Sequence, residues 1–189
     1  MEAQFNIILI GGSAGSLQPV ISILEQLPED LRIPVVIVLH RLRNVQSEMD
    51  RLLSVKKKIT EPEDKEKILP GRIYLAPQNY HLMLEADDTF MLDYSELVNF
   101  SRPSIDMTFS SAAIAYQHKV MAILLSGANH DGAAGLCEIA AQGGTAIVQD
   151  PAEADFDVMP LAAIAMCDRA RVMSIEDINL YIKSNTQAD

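Results

Sequence analysis

The chain has 189 residues, of which 49% are hydrophobic and 22% charged. That balance suits a single globular domain over 1–189 and excludes disorder as the main state. No apolar run approaches the roughly 20 residues of a membrane-spanning helix, and a net charge of −11 argues against a nucleic-acid footprint.

The charge is lopsided. Residues 1–60 hold 7 Lys/Arg and 6 Asp/Glu, so the negative excess lies beyond them. Arg41, Arg43, Arg51 and Lys56–Lys58 form the one basic cluster, which reads as a solvated helix face or as a docking patch. The acidic start Met1-Glu-Ala-Gln runs straight into an apolar stretch, so no leader is expected. Cys137 and Cys167 lie in apolar periodic segments, as buried thiols of a reducing compartment would, and a cytoplasmic location is expected.

Asn6 to Ile10 is a short apolar run ending in Gly11-Gly12, which predicts a buried strand and a tight turn. Ser16 is placed to cap the following helix, with Pro19 in its first turn. Leu17, Val20, Ile21, Leu24 and Leu27 share one face of that helix, and Pro28 stops it. Pro34 to His40 is a second apolar strand, completing a right-handed βαβ unit. Ser47 to Val55 reads as a short helix, Thr60 to Leu69 as a surface loop, and Gly71 to Pro77 as a strand. His81–Glu85 and Thr89–Asp93 flank Asp87-Asp88 as an antiparallel hairpin.

Ser104 opens a helix with Ile105, Phe109, Ala112, Ala113 and Tyr116 on one face. Lys119 to Leu125 is a strand, Ser126 to Gly132 a turn, and Ala133 to Gln142 a helix. Thr145–Gln149 and Arg171–Met173 are further strands around a helix from Met159 to Cys167. A last helix opens at Ser174, with a tail expected to fray from Ser184. This alternation predicts an α/β fold: a doubly wound, mostly parallel sheet with helices on both faces and an antiparallel hairpin insertion, three-layered and Rossmann-like.

The first turn can serve two chemistries. Free N–H groups at a helix start cradle a phosphate, or they surround an exposed hydroxyl as an oxyanion hole. The dinucleotide and Walker glycine spacings both fail, whereas Gly11-Gly12-Ser13-Ala14-Gly15 fits G-x-S-x-G. In a parallel sheet, ligands gather beyond the carboxyl ends of the strands. Ser13, His40 and Asp131 all follow strand ends on that edge. They supply an alcohol, a base of near-neutral pKa and a carboxylate. Each has a plainer reading: Ser13 as a helix cap, His40 as a strand-end hydrogen bond, Asp131 as an N-cap. No histidine spacing suits a zinc site.

Several stretches together resemble the catalytic domain of CheB-type chemotaxis protein-glutamate methylesterases. They are Ile10 to Gly15, Pro34 to His40, Leu69 to Pro77 with His81-Leu82, Arg102-Pro-Ser-Ile-Asp106, Leu125 to Gly135, Gly143-Gly144, Gln149-Asp150 and Met159-Pro160. The resemblance implies Ser13 as nucleophile, His40 as base and Asp131 as third member, with backbone N–H groups of Ala14, Gly15 and Ala128 holding the oxyanion. It implies hydrolysis of glutamyl methyl esters, and in some members deamidation of glutamine, on the cytoplasmic helical region of a chemoreceptor, with no metal or organic cofactor. A same-fold esterase or amidase with another substrate, and a catalytically weak binding module, are the alternative readings.

This chain departs from the family pattern in places. Ala14 replaces a common threonine, and Gly127-Ala128-Asn129 replaces Gly-Met-Gly, with Asn129 chosen for its tolerance of positive φ. Arg41-Leu-Arg43 replaces Met-Pro-Pro and offers Arg41 and Arg43 as substrate-docking residues, while Leu161 stands where an arginine is usual. Family members usually carry a receiver domain ahead of this one. Only Met1–Gln4 stand before the first expected strand, so phosphorylation in cis is expected to be absent.

Overall fold

The structure is a computed structural model describing residues 4–41, 49, 53 and 58–186. The helix expected over 47–55 lies almost wholly outside the described residues, as does Arg43. Nine strands are described: β1 (Ile7–Gly12), β2 (Val35–Leu39), β3 (Ile59–Thr60), β4 (Ile73–Leu75), β5 (His81–Leu84), β6 (Phe90–Asp93), β7 (Val120–Leu124), β8 (Thr145–Gln149) and β9 (Arg171–Met173). The helices are α1 (Leu17–Gln26), α2 (Ile105–Tyr116), α3 (Ala133–Ala141), α4 (Val158–Met166) and α5 (Ile175–Thr186).

Seven strands form one sheet in the order β3-β4-β2-β1-β7-β8-β9, and every pairing is parallel. β5 and β6 form the expected antiparallel hairpin, with His81 opposite Asp93. β1, β2 and β7 are buried on both faces, which is why they read as unbroken apolar runs. Alternate residues serve two cores. Ile7 and Leu9 of β1 join Ile105 and Phe109 of α2, Leu136 of α3 and the hairpin residues Leu82, Leu84 and Phe90. Ile8 and Ile10 join Val20, Ile23 and Leu24 of α1 and Ile178 and Ile182 of α5 on the other face. Burying each such aliphatic or aromatic side chain contributes about 1.5–3 kcal/mol.

Two expectations change, and one expected loop gains a tie. Ser16 does not cap α1 through its side chain; its hydroxyl donates back to the Ser13 carbonyl at 2.6 Å. The loop after Thr60 is tied to the hairpin by a bridge between Lys67 and Thr89. The last helix does not fray at Ser184 but runs to Thr186, whose hydroxyl donates to the Ile182 carbonyl at 2.7 Å.

β1 is the hinge of the topology. The chain moves outward from β1 to β2 on one side and returns to β7 on the other. Connections therefore diverge above β1, which makes the carboxyl ends of β1 and β7 a topological switch point, where ligands of such sheets gather.

Candidate active site

Ser13 follows β1 directly, and its N–H donates to the Ser126 carbonyl at 2.9 Å, tying the first turn to the loop after β7. The turn needs glycine at Gly15, where φ is +76° and a Cβ would lie 2.6 Å from Asp155 Cβ and 2.7 Å from Ser126 Oγ. Ser126 staples this corner further, donating to the Ala14 carbonyl at 2.8 Å and accepting from the Phe156 N–H at 2.9 Å. No described group accepts from the N–H of Ala14, Gly15 or Ala128. Ala14 and Gly15 follow Ser13 directly in the chain, and Ala128 comes two residues after Ser126, whose carbonyl accepts the Ser13 N–H.

His40 comes one residue after β2, and its backbone N–H donates to the Gly12 carbonyl at 3.3 Å. Its ring reaches across the sheet edge: Nε2 lies 2.8 Å from Asp131 Oδ2, and Nδ1 lies 3.2 Å from Ser13 Oγ. An ionised carboxylate can only accept, so Nε2 carries the hydrogen and Nδ1 presents its lone pair to the Ser13 hydroxyl. The imidazole side chain is 12% exposed, whereas Asp131 is fully buried.

Asp131 is held charged by its surroundings. Oδ2 also accepts the Ile105 N–H at 2.6 Å, while Oδ1 accepts from Ser104 Oγ at 2.8 Å, Asn99 Nδ2 at 3.0 Å and the Asp106 N–H at 3.3 Å. Burial pushes its pKa up, but the hydrogen bonds from His40, Asn99 and Ile105 outweigh burial and hold it below the ordinary aspartate value. The plainer reading of Asp131, as the N-cap of the helix that follows it, does not hold. Gly132, at φ +95°, caps α3, and Asp131 instead sits on the positive end of α2.

The first turn of α2 leaves no donor orphaned. Ser104 N–H donates to His81 Nδ1 at 3.2 Å, Ile105 and Asp106 donate to Asp131, and Met107 donates to Ser104 Oγ at 3.4 Å. His81 is fully buried, and its Nε2 donates to the Glu96 carbonyl at 2.9 Å, so it supports α2. His118 and His130 are exposed. Among the described residues no cluster could hold a metal ion.

The sequence did not point to two neighbours, Asn99 and Ser101, and placed Asn129 differently. Asn99 donates both to Asp131 and to Asp106 Oδ2, the latter at 2.8 Å, separating two carboxylates. Burial is the largest influence on Asp106 and holds its pKa above the ordinary value, and the nearby Asp131 charge acts in the same direction. Ser101 Oγ lies 3.3 Å from His40 Nδ1. Asn129 does not take a positive φ; its Oδ1 accepts the Asp131 N–H at 3.1 Å, which turns Nδ2 to within 3.5 Å of His40 Nδ1. Asn99 and Phe100 have φ of 50° and 64° between the bridged residues Val98 and Ser101, as a primed turn requires, but no Asn-Gly signal announces it.

Arg41, expected at a docking surface, is turned inward. Its side chain is 3% exposed, with Nη2 donating to Glu61 Oε1 at 2.7 Å and to the Ala76 carbonyl at 2.8 Å. Leu161 is half exposed on α4.

The family model for CheB methylesterase matches residues 8–182. The chain belongs to the CheB methylesterase family. A relative from Leptospira interrogans is 44% identical over 182 residues, covering 95% of this chain and 94% of that one. A Thermotoga maritima relative, named protein-glutamate methylesterase/protein-glutamine glutaminase, is 33% identical over 84% of this chain and 47% of its own length. The crystal structure of the Thermotoga maritima CheB methylesterase catalytic domain superposes with a TM-score of 0.87 at 30% identity, covering 95% of this chain and 98% of that one. The fold is thus that of a CheB catalytic domain, and the hydroxyl, imidazole and carboxylate meet within it.

Proposed function

We propose that this chain is a cytoplasmic serine hydrolase, a single catalytic domain over 1–189, that removes methyl esters from glutamyl side chains in the helical region of chemoreceptors and deamidates glutamine there. The observation that carries this reading is the continuous hydrogen-bonded line from Ser13 Oγ through the His40 ring to buried Asp131, at 3.2 and 2.8 Å.

In the first half-reaction Ser13 Oγ attacks the ester carbonyl while its proton passes to His40 Nδ1. Asp131 stabilises the imidazolium through the Nε2–H bond and keeps the ring in the tautomer that leaves Nδ1 free. The N–H groups of Ala14, Gly15 and Ala128 receive the developing oxyanion. The Nδ1 proton then goes to the methoxy oxygen, and methanol leaves; from glutamine the leaving group is ammonia. Water attacks the acyl-enzyme, and the side chain departs as glutamate. Every step uses groups of the chain and water, and none calls for a metal or organic cofactor.

Release of methanol from methylated receptor fragments tests the reading. Ser13→Ala should lower kcat by about a thousandfold or more. Undiminished turnover in that variant would remove Ser13 as the nucleophile, and turnover of small esters but not of methylated receptor would redirect the substrate.

A further inference from the structure

The acylation steps leave two polar groups beside His40 Nδ1 unused, Ser101 Oγ and Asn129 Nδ2. Ser101 Oγ lies 3.3 Å from His40 Nδ1, almost as close as Ser13 Oγ at 3.2 Å. Two hydroxyls face one lone pair, and only one can donate to it at a time. Ser101 has another acceptor for its proton, the Asn99 carbonyl at 3.4 Å. With its hydrogen there, its oxygen lone pairs face the space beside Nδ1.

That oxygen is fixed relative to the ring. Ser101 N–H donates to the Val98 carbonyl at 2.9 Å, and Val98 N–H returns a bond to the Ser101 carbonyl at 3.2 Å. Asn99, between them, is pinned through its amide to Asp106 and Asp131. The third neighbour of Nδ1, Asn129 Nδ2, is a donor only, since its Oδ1 already accepts from Asp131 N–H.

We propose that Ser101 holds the water that hydrolyses the acyl-enzyme, an inference that rests on the reading of Ser13 as nucleophile. Once Ser13 is acylated, its Oγ has no hydrogen and Nδ1 has lost that donor. A water beside Nδ1 then donates one hydrogen to Nδ1 and the other to Ser101 Oγ, whose own hydrogen goes to the Asn99 carbonyl. Both hydrogens of the water are thereby directed away from the acyl carbon, and a lone pair faces it. Asn129 cannot do this, because a donor would engage the lone pair that attack requires. Attack forms the new C–O bond and passes the first proton to Nδ1. Collapse breaks the bond from carbon to Ser13 Oγ, and the Nδ1 proton returns to Ser13. The product carboxylic acid gives its remaining proton to solvent.

The test uses the whole chain with p-nitrophenyl acetate, comparing the wild type, Ser101→Ala and Ser101→Thr. Nitrophenol release in the first turnover reads acylation, and intact-mass decay of the preformed acetyl-enzyme reads deacylation. Ser101→Ala should acylate at the wild-type rate and deacylate about 10- to 100-fold more slowly, the scale set by loss of a positioned reactant. Ser101→Thr, which keeps the hydroxyl, should recover most of the deacylation rate. An equal fall in both phases would mean that Ser101 only steadies the imidazole, and unchanged deacylation would remove it from the reaction; either overturns the proposal. Labelling by a fluorophosphonate separates the two readings. Failure to label Ser13 in the wild type sinks the nucleophile, whereas labelling with unaltered deacylation sinks only the role of Ser101.

Discussion

Asp131 places a charge where no water reaches, and five hydrogen bonds offset the desolvation. Asp131→Asn keeps the shape but sets an amide donor against one of these donors, and it removes the anion that fixes the His40 tautomer. We expect kcat to fall about 10⁴-fold, measured on methylated receptor. Stability should follow with a definite sign. The folded-state pKa of Asp131 lies below its ordinary value of 3.8, so its contribution is full above that value and fades as pH falls through the lower, folded pKa. The advantage of wild type over Asp131→Asn in urea unfolding should therefore be larger at neutral pH than in strong acid. Ser13, His40 and Asp131 could be nominated from sequence because strand ends on one sheet edge are a topological property. Asn99 and Ser101 could not, because their roles depend on a turn whose positive φ values no glycine advertises. Arg41 misled for a similar reason: composition counts its charge, but not the direction of its side chain. Arg41→Ala should leave KM unchanged and cost about 1–3 kcal/mol in urea unfolding, since it strands the Ala76 carbonyl and breaks the Glu61 pair.

Helix α2 links core to site at the scale of elements. Its apolar face, Ile105, Phe109, Ala112 and Ala113, packs on β1, and its first N–H groups hold Asp131. The apolar spacing announced the helix, but its second duty at the carboxylate is a tertiary fact with no local periodicity. Contact with β1 is close: a Cβ on Gly11 would lie 2.5 Å from Ile105 Cγ2 and 3.1 Å from Phe109 Cζ. Gly11→Val should push α2 outward, costing about 1–3 kcal/mol as overpacking. Because Ile105 carries both the clash and a bond to Asp131, activity should fall further than the loss of folded protein explains. Urea unfolding paired with active-site titration separates these effects.

Across the whole molecule the net charge of −11 dominates encounters. Arg41 is engaged inside the fold with Glu61, so its charge does not stand free to reverse that field. Association with an acidic receptor fragment should accelerate as salt rises from about 0.01 M to about 0.1 M and the Debye length shrinks from about 30 Å to about 10 Å. Stopped-flow binding at several salt concentrations checks the sign. The layered architecture was legible at this scale because strands covered on two faces cannot alternate in polarity. The inward turn of Arg41 was not, since it depends on Glu61 and Ala76 arriving from other elements.

The hydroxyl and the imidazole are 27 positions apart along the chain, and the imidazole and the carboxylate 91. No fragment of nascent polypeptide holds all three before β7 and the loop beyond it have been made and seated beside β1. Esterase activity should therefore return during refolding only with the slowest, global phase, lagging behind the helical circular-dichroism signal that local contacts restore first.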